Sequence, residues 1–80
     1  MAKSVFTSEY RVLLAMLRER RHAAGISQVD LAKRLRQTQS FVSKIERGEA
    51  RLDLVQLRRI CKILGTSLSA FVREFEDRLR

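Results

Sequence analysis

The chain has 80 residues, of which 45% are apolar and 32% are charged, and its net charge is +8. This length predicts a single domain over residues 1–80, with a thin core that leaves about 40% of the unfolded surface exposed. One Cys and one His exclude a disulfide framework and a zinc-ligand set, and we expect no metal and no cofactor. No apolar run reaches the roughly 20 residues needed to span a bilayer, and we expect no secretory signal at the N-terminus.

The positive charge is concentrated in the middle of the sequence. Residues 18–62 contain 12 basic and 5 acidic side chains, whereas residues 63–80 contain 3 of each. A concentrated positive field favours association with polyanions such as nucleic acid or an anionic membrane. A solvated, solubilising surface is the alternative interpretation. The composition also predicts a reduced, cytoplasmic or nucleoid-associated protein.

Glycines and capping residues divide the chain into five predicted helices. These cover residues 8–24, 28–36, 39–47, 54–64 and 68–79. Gly25, Gly48 and Gly65 each follow a periodic segment, where a helix favours glycine just beyond its end. The predicted N-caps are Ser27 and Asp53, each opening a capping box, together with Thr38, Ser67 and either Thr7 or Ser8.

Apolar residues recur at helical spacing in every predicted helix, and nothing indicates a strand. The stripes are Tyr10, Leu13, Leu14 and Leu17; Leu31, Ala32 and Leu35; Val42 and Ile45; Leu57, Ile60, Cys61 and Leu64; and Leu68, Phe71, Val72, Phe75 and Leu79. Val12 and Met16 lie off the main stripe of the first helix, which predicts that they are exposed or in an interface. Phe41 lies at the edge of its stripe, and we expect it to pack rather than to contact a thymine methyl group.

Helices 2 and 3 are joined by only residues 36–38, which predicts the tight corner of a helix-turn-helix. Val42 and Ile45 point to one side of helix 3. The opposite side combines polar and basic residues with no acid: Gln39, Ser40, Ser43, Lys44 and Arg47. Such side chains hydrogen-bond base edges and phosphates, whereas an ordinary solvated face usually includes acids.

Residues 10–72 resemble the lambda-repressor-like helix-turn-helix family, also called the Xre or Cro family. The resemblance rests on residues 25–32 (GISQVDLA), 38–49 (TQSFVSKIERGE), 51–54 (RLDL) and 64–68 (LGTSL). It implies a compact, all-α, five-helix DNA-binding domain from a prokaryote or phage, which inserts helix 3 into the major groove of duplex DNA.

The resemblance also implies individual roles. Gln28 would contact a phosphate and brace Gln39. The base-contacting residues would be Gln39, Ser40, Ser43 and Lys44. Further phosphate contacts would come from Arg47, Arg51, Arg36 and Arg21. The family usually has glycine in the turn at the position of Arg36, so this arginine must either adopt a left-handed conformation or use a different turn.

Other functional classes find less support in the sequence. The chain has no phosphate-binding glycine loop, metal cluster or nucleophile–base pair, so we expect no enzyme. His22 is expected at the surface and Cys61 in the core. A membrane-surface helix needs a wide apolar face opposite a basic one; helices 1 and 5 have apolar faces, but helix 5 is charge-balanced. RNA is a weaker alternative, because a helix reads the narrow groove of duplex RNA poorly. The main alternative is an antitoxin-type or other protein-interaction module with the same fold.

We expect a transcriptional regulator, most simply a repressor that occupies a promoter and blocks polymerase; the alternative is a regulator that contacts polymerase from a neighbouring site. A homodimer on a palindromic operator would follow from two-fold symmetry. Residues 67–80 form the candidate dimer surface, through Leu68, Phe71, Val72, Phe75 and Leu79, with further contributions from Val12, Met16, Val5 and Phe6. The alternative is that helix 5 only closes the monomer core. Residues 1–7 are expected to be flexible.

Overall fold

A computed structural model describes residues 7–80 of the chain. It contains five α-helices: α1 (Ser8–Ala23), α2 (Gln28–Leu35), α3 (Gln39–Glu46), α4 (Leu54–Ile63) and α5 (Leu68–Arg78). Residues 7–80 contain no strand, and the predicted all-α fold is confirmed. Each helix begins at the predicted residue and ends one residue earlier than predicted. The expectations for residues 1–6, including Val5 and Phe6, lie outside the described residues.

All five helices begin with a side chain that accepts a hydrogen bond from the backbone three residues later. These N-caps are Thr7, Ser27, Thr38, Asp53 and Ser67. Asp53 forms the complete capping box: Oδ1 accepts from the Gln56 amide at 2.7 Å, and the Gln56 side chain accepts from the Asp53 amide at 2.9 Å. At Ser27 the structure shows the serine half of the predicted box, with Oγ 3.0 Å from the amide nitrogen of Asp30. Each such cap stabilises its helix by about 1 kcal/mol. The start of each helix is therefore determined by residues close together in the sequence.

The first four helices end in the same way, with one residue in the left-handed region. Three of these residues are the predicted glycines, Gly25, Gly48 and Gly65, and the fourth is Arg36 at φ 58° and ψ 44°. After Arg36, the amide of Gln37 donates to the carbonyl of Ala32 at 2.9 Å, which closes a Schellman motif. Of the two conformations that the sequence left open for Arg36, the structure has the left-handed one.

Replacing Arg36 with glycine is expected to stabilise the fold by about 1 kcal/mol, because glycine has no Cβ to clash in the left-handed region. Urea unfolding followed by circular dichroism measures the change. Arg36→Ala is the matched control, since it removes the same charge but keeps a Cβ, and it should give no gain. Equal stability of the two variants would show that the backbone at residue 36 is not strained.

The core lies where α1 packs against α3 and α5, α2 against α3 and α4, and α4 against α5. Its buried apolar residues are Leu14, Met16, Leu17, Ile26, Leu31, Ala32, Val42, Ile45, Ile60, Cys61, Leu64 and Phe71. The prediction for Met16 is wrong, because only 1% of this residue is exposed. Since two helices pack against α1, its buried face is wider than a single stripe. Val12 is half-buried and packs against the same core.

The structure also corrects the prediction that Phe71 contacts a second subunit. Phe71 is 1% exposed and belongs to the core of this chain. The α5 helix is held against α1 by two ion pairs, Arg20 with Glu74 at 3.1 Å and Arg78 with Glu19 at 2.7 Å. The inner side of α5 therefore closes the monomer core.

Candidate nucleic-acid interface

The two sides of α3 differ in burial as the sequence predicted. Val42 and Ile45 are buried under the helix, and Phe41 is half-buried against the core. The four predicted base-contacting residues lie on the other side: Gln39, Ser40 and Lys44 are exposed, and Ser43 is half-buried. Because α2 packs against α3 across a three-residue link, this polar face is presented outward by a helix-turn-helix. We call Gln39, Ser40, Ser43 and Lys44 the polar face of α3.

A buried ion pair supports the polar face from behind. The Arg21 guanidinium donates to the Glu46 carboxylate from Nε at 2.6 Å and from Nη2 at 3.1 Å, and from Nη1 to the carbonyl of Ile26 at 2.9 Å. Both residues are buried, and Arg18 also donates to the backbone carbonyl of Glu46 at 3.1 Å. The prediction that Arg21 contacts a phosphate is therefore wrong, because its hydrogen-bond donors point into the protein. They join the end of α1 to the end of α3 instead.

Two glutamines connect this ion pair to the surface. Gln28, the first residue of α2, donates from Nε2 to Oε1 of Glu46 at 2.9 Å. Its own Oε1 accepts from Nε2 of Gln39 at 3.4 Å. Gln28 is half-buried, whereas Gln39 is exposed at the start of α3. A continuous series of hydrogen bonds therefore runs from Arg21 through Glu46 and Gln28 to Gln39.

Opposing effects act on the ionisation of Glu46. Burial is the strongest of them and by itself would raise the pKa of the carboxyl group. The hydrogen bonds from Arg21 and Gln28, together with the positive charges of Arg21 and Arg18, outweigh burial and lower the pKa below its ordinary value. Glu46 is therefore a carboxylate at neutral pH, and its two oxygens only accept hydrogen bonds.

Three of the predicted phosphate-contacting arginines are exposed, and two of them have partners within the chain. Arg47, just beyond α3, pairs with Glu49 through two hydrogen bonds of 3.0 Å and also donates to the hydroxyl of Ser43. This pairing lowers the pKa of Glu49. The guanidinium of Arg51 lies 5.2 Å from the centre of the Tyr10 ring. Arg36 is exposed in the turn between α2 and α3.

The structure thus gives Arg47 an acidic neighbour, Glu49. Because both side chains of the Arg47–Glu49 pair are exposed, water and salt weaken the attraction between their charges. Arg47 can therefore exchange Glu49 for another anion at little cost.

Comparison with known proteins places the fold in a family. A family model described as a helix-turn-helix domain matches residues 12–71. An XRE-family like protein from Pseudomonas syringae pv. tomato str. DC3000 is 42% identical, with 91% of this chain and 89% of that chain covered and a TM-score of 0.86. The chain belongs to the XRE-like helix-turn-helix family. It is thus a regulator-type, DNA-binding helix-turn-helix protein, and the predicted family is confirmed.

Two further structures resemble this XRE-like chain over smaller parts. The clp gene regulator ClgR from Corynebacterium glutamicum is 28% identical, with 85% of this chain and 72% of that chain covered and a TM-score of 0.75. Hydroxypropylphosphonic acid epoxidase from S. wedmorenis is 36% identical, with a TM-score of 0.67, but the match covers 75% of this chain and only 32% of the epoxidase. No curated protein matches the chain.

Sequence reasoning missed Glu46 and Arg18, although a signal for Glu46 was present. Glu46 follows Val42 by four residues, so it lies on the buried stripe of α3, where an acid requires a cationic partner. The sequence did not show which of its many arginines that partner would be. Within residues 7–80, no helix has the length and apolar character needed to cross a bilayer, and no cluster of His, Cys, Asp and Glu could hold a metal ion.

Proposed function

We propose that this protein binds a specific sequence of duplex DNA and regulates transcription there, with α3 inserted into the major groove. The observation that carries this proposal is the polar face of α3, which is free of acids, is exposed except for the half-buried Ser43, and is backed by the buried Val42 and Ile45. Gln39 can bond bidentately to adenine, Lys44 can donate to guanine, and the two serines can contact several bases. A helix fits the width of the major groove.

Phosphate contacts are proposed for the groups that surround this face. Gln28 lies at the N-terminus of α2, where backbone amides also favour an anion. Arg36, Arg47 and Arg51 are exposed around it. These contacts would set the register of α3 on the duplex, while the polar face selects the sequence.

Repression by occupying a promoter is the simplest mode of regulation that we propose, and it implies a cytoplasmic or nucleoid location. An antitoxin-type or other protein-binding role remains the competing proposal for the same fold. A role limited to protein binding gives no reason for Gln28 and Glu46 to brace Gln39 from behind. That bracing favours DNA.

Selection of bound sites from random duplex DNA tests the proposal. The expected result is one enriched sequence, and for a dimer two half-sites separated by about one helical turn. Retention of all sequences alike would contradict sequence-specific binding, and the competing protein-binding role would then be favoured.

We also propose a homodimer through the partly exposed apolar residues of α5 that border the core residue Phe71. With Phe71 assigned to the core, the proposed contacts are Leu68, Val72, Phe75 and Leu79, which recur at helical spacing. Val72 is the most accessible of them at 39%, and the other three are partly exposed. Leu68 and Phe75 also pack against the monomer core, so only their exposed parts would contact a second subunit. One α3 helix contacts only a half-site, and a two-fold dimer would supply the second.

Val72→Glu is expected to weaken this dimer, because a charge would be buried against a second apolar stripe. Sedimentation equilibrium at micromolar concentration measures the dissociation constant, and a rise of tenfold or more is expected. Val55→Glu is the matched control, since Val55 is also exposed but lies at the start of α4. A dimer broken by Val55→Glu alone, or a wild-type monomer, would contradict the α5 interface.

A further inference from the structure

We propose that Glu46 is a positioning residue for base recognition, and that it determines which edge Gln39 presents to DNA. Glu46 lies at the opposite end of α3 from Gln39 and is buried, so it does not itself reach a base. It acts through the side-chain amide of Gln28. The inference rests on the proposed function, in which Gln39 contacts a base.

The ionised state of Glu46 sets the direction of the Gln28 amide. An ionised carboxylate accepts hydrogen bonds and donates none. The amide of Gln28 must therefore turn its NH₂ group toward Glu46, as the 2.9 Å contact from Nε2 shows. Arg21 fixes the carboxylate in turn, through two hydrogen bonds from a buried guanidinium. The direction of the Gln28 amide is thus set by a charge inside the protein.

The orientation of the Gln28 amide in turn determines the orientation of the Gln39 amide at the surface. With its NH₂ group turned inward, Gln28 presents Oε1 to Gln39, and the Nε2 of Gln39 donates to it at 3.4 Å. If the Gln39 amide were reversed, two carbonyl oxygens would face each other with no proton between them. Gln39 is left with Oε1 and its second N–H directed away from Gln28. Adenine offers a matching donor at N6 and acceptor at N7 in the major groove.

Removing the buried charge should release this constraint. Without the carboxylate, the Gln28 amide can adopt either direction, and Gln39 no longer has a single favoured edge. Affinity for a duplex with adenine at the position contacted by Gln39 should then fall about tenfold relative to other bases there, a part of what one bidentate contact supplies. Preferences at positions contacted by Ser40, Ser43 and Lys44 should stay unchanged.

The test uses a variant that removes the charge but keeps the fold. Arg21→Met combined with Glu46→Leu replaces the ion pair with apolar side chains of similar size, a change that is often neutral or stabilising. Binding is measured on the duplex selected by the wild-type protein and on duplexes with each base pair replaced in turn. Gln39→Ala identifies the position that Gln39 contacts. Arg47→Met with Glu49→Leu is the matched control: it removes an exposed pair at the same end of α3 and should lower affinity while leaving the base preference at the Gln39 position intact.

Loss of preference at the Gln39 position alone supports the inference, and Gln28→Leu, which leaves the ion pair intact, should reproduce that loss. A folded double variant with full preference at this position would overturn it, because Glu46 would then have only a structural role. An equal loss of base preference at every position of the duplex would overturn the inference as well. If the wild-type protein selects no sequence at all, the proposed function fails instead, so the two failures are distinguishable.

Discussion

Glu46→Ala is expected to lower the free energy of unfolding by about 3–5 kcal/mol, which is a large share of the stability of a domain this small. The cost arises because Arg21 is 8% exposed and would retain a buried charge without its partner. The hydrogen bond from Gln28 would be lost at the same time. Urea unfolding at neutral pH measures the change.

Glu49, an acid three residues further along the chain, provides the control. Glu49→Ala removes an ion pair with Arg47 that is exposed on both sides, so it should change the free energy of unfolding little. The combination of Arg21→Met and Glu46→Leu should recover most of the stability lost in Glu46→Ala. Equal effects of Glu46→Ala and Glu49→Ala would contradict the importance of the buried pair.

The same pair makes stability depend on pH in a definite direction. The folded state lowers the pKa of Glu46 below its ordinary value of 4.5. A group with a lowered pKa contributes its stability above the unfolded pKa and loses it as pH falls through the folded pKa. Wild-type stability should therefore decline below about pH 4.5, and the Arg21→Met, Glu46→Leu variant should lack this part of the decline.

Gln39→Ala is expected to cost about 1–3 kcal/mol of binding free energy on the selected duplex and much less on random duplex DNA. The reason is that Gln39 is exposed at the start of α3 and donates to Gln28 at 3.4 Å, so in the proposed function it would present one bidentate edge to a base. Fluorescence anisotropy at constant salt measures both dissociation constants.

Gln37→Ala is the matched control for this substitution. Gln37 is an exposed glutamine in the turn before α3, and its role in the fold is the backbone hydrogen bond to Ala32, which alanine keeps. It should leave the selectivity for the chosen duplex unchanged. An equal loss of affinity on selected and random DNA in Gln39→Ala would show that Gln39 contacts phosphate and not a base.

The helix starts and the polar face of α3 were predictable because both depend on residues close together in sequence. A cap such as Asp53 bonds an amide three residues away, and helical periodicity alone separates Val42 and Ile45 from Gln39 and Lys44. For Arg36 the sequence left two conformations open, and only the structure shows that the left-handed one ends α2.

The pairings that tie the helices together were not predictable. Arg21 and Glu46 are 25 residues apart, and several other arginines offered the same charge. Periodicity placed Phe71 and Met16 on helices, but it did not show whether this chain or a second subunit buries them; the structure shows that both lie in the core of this chain. A stripe that faces the core and a stripe that faces a second subunit have the same pattern, so only the packing of α1 and α4 against α5 separates them.

The most direct test of base recognition by α3 is an NMR titration of the isotopically labelled protein with the selected duplex. We expect the largest shifts in backbone amide signals in α3, especially near Gln39, and at the start of α2 near Gln28. Smaller shifts are expected at Arg36, Arg47 and Arg51, and little change along α1. Shifts concentrated in α5 or α1, with α3 unaffected, would contradict base recognition by α3.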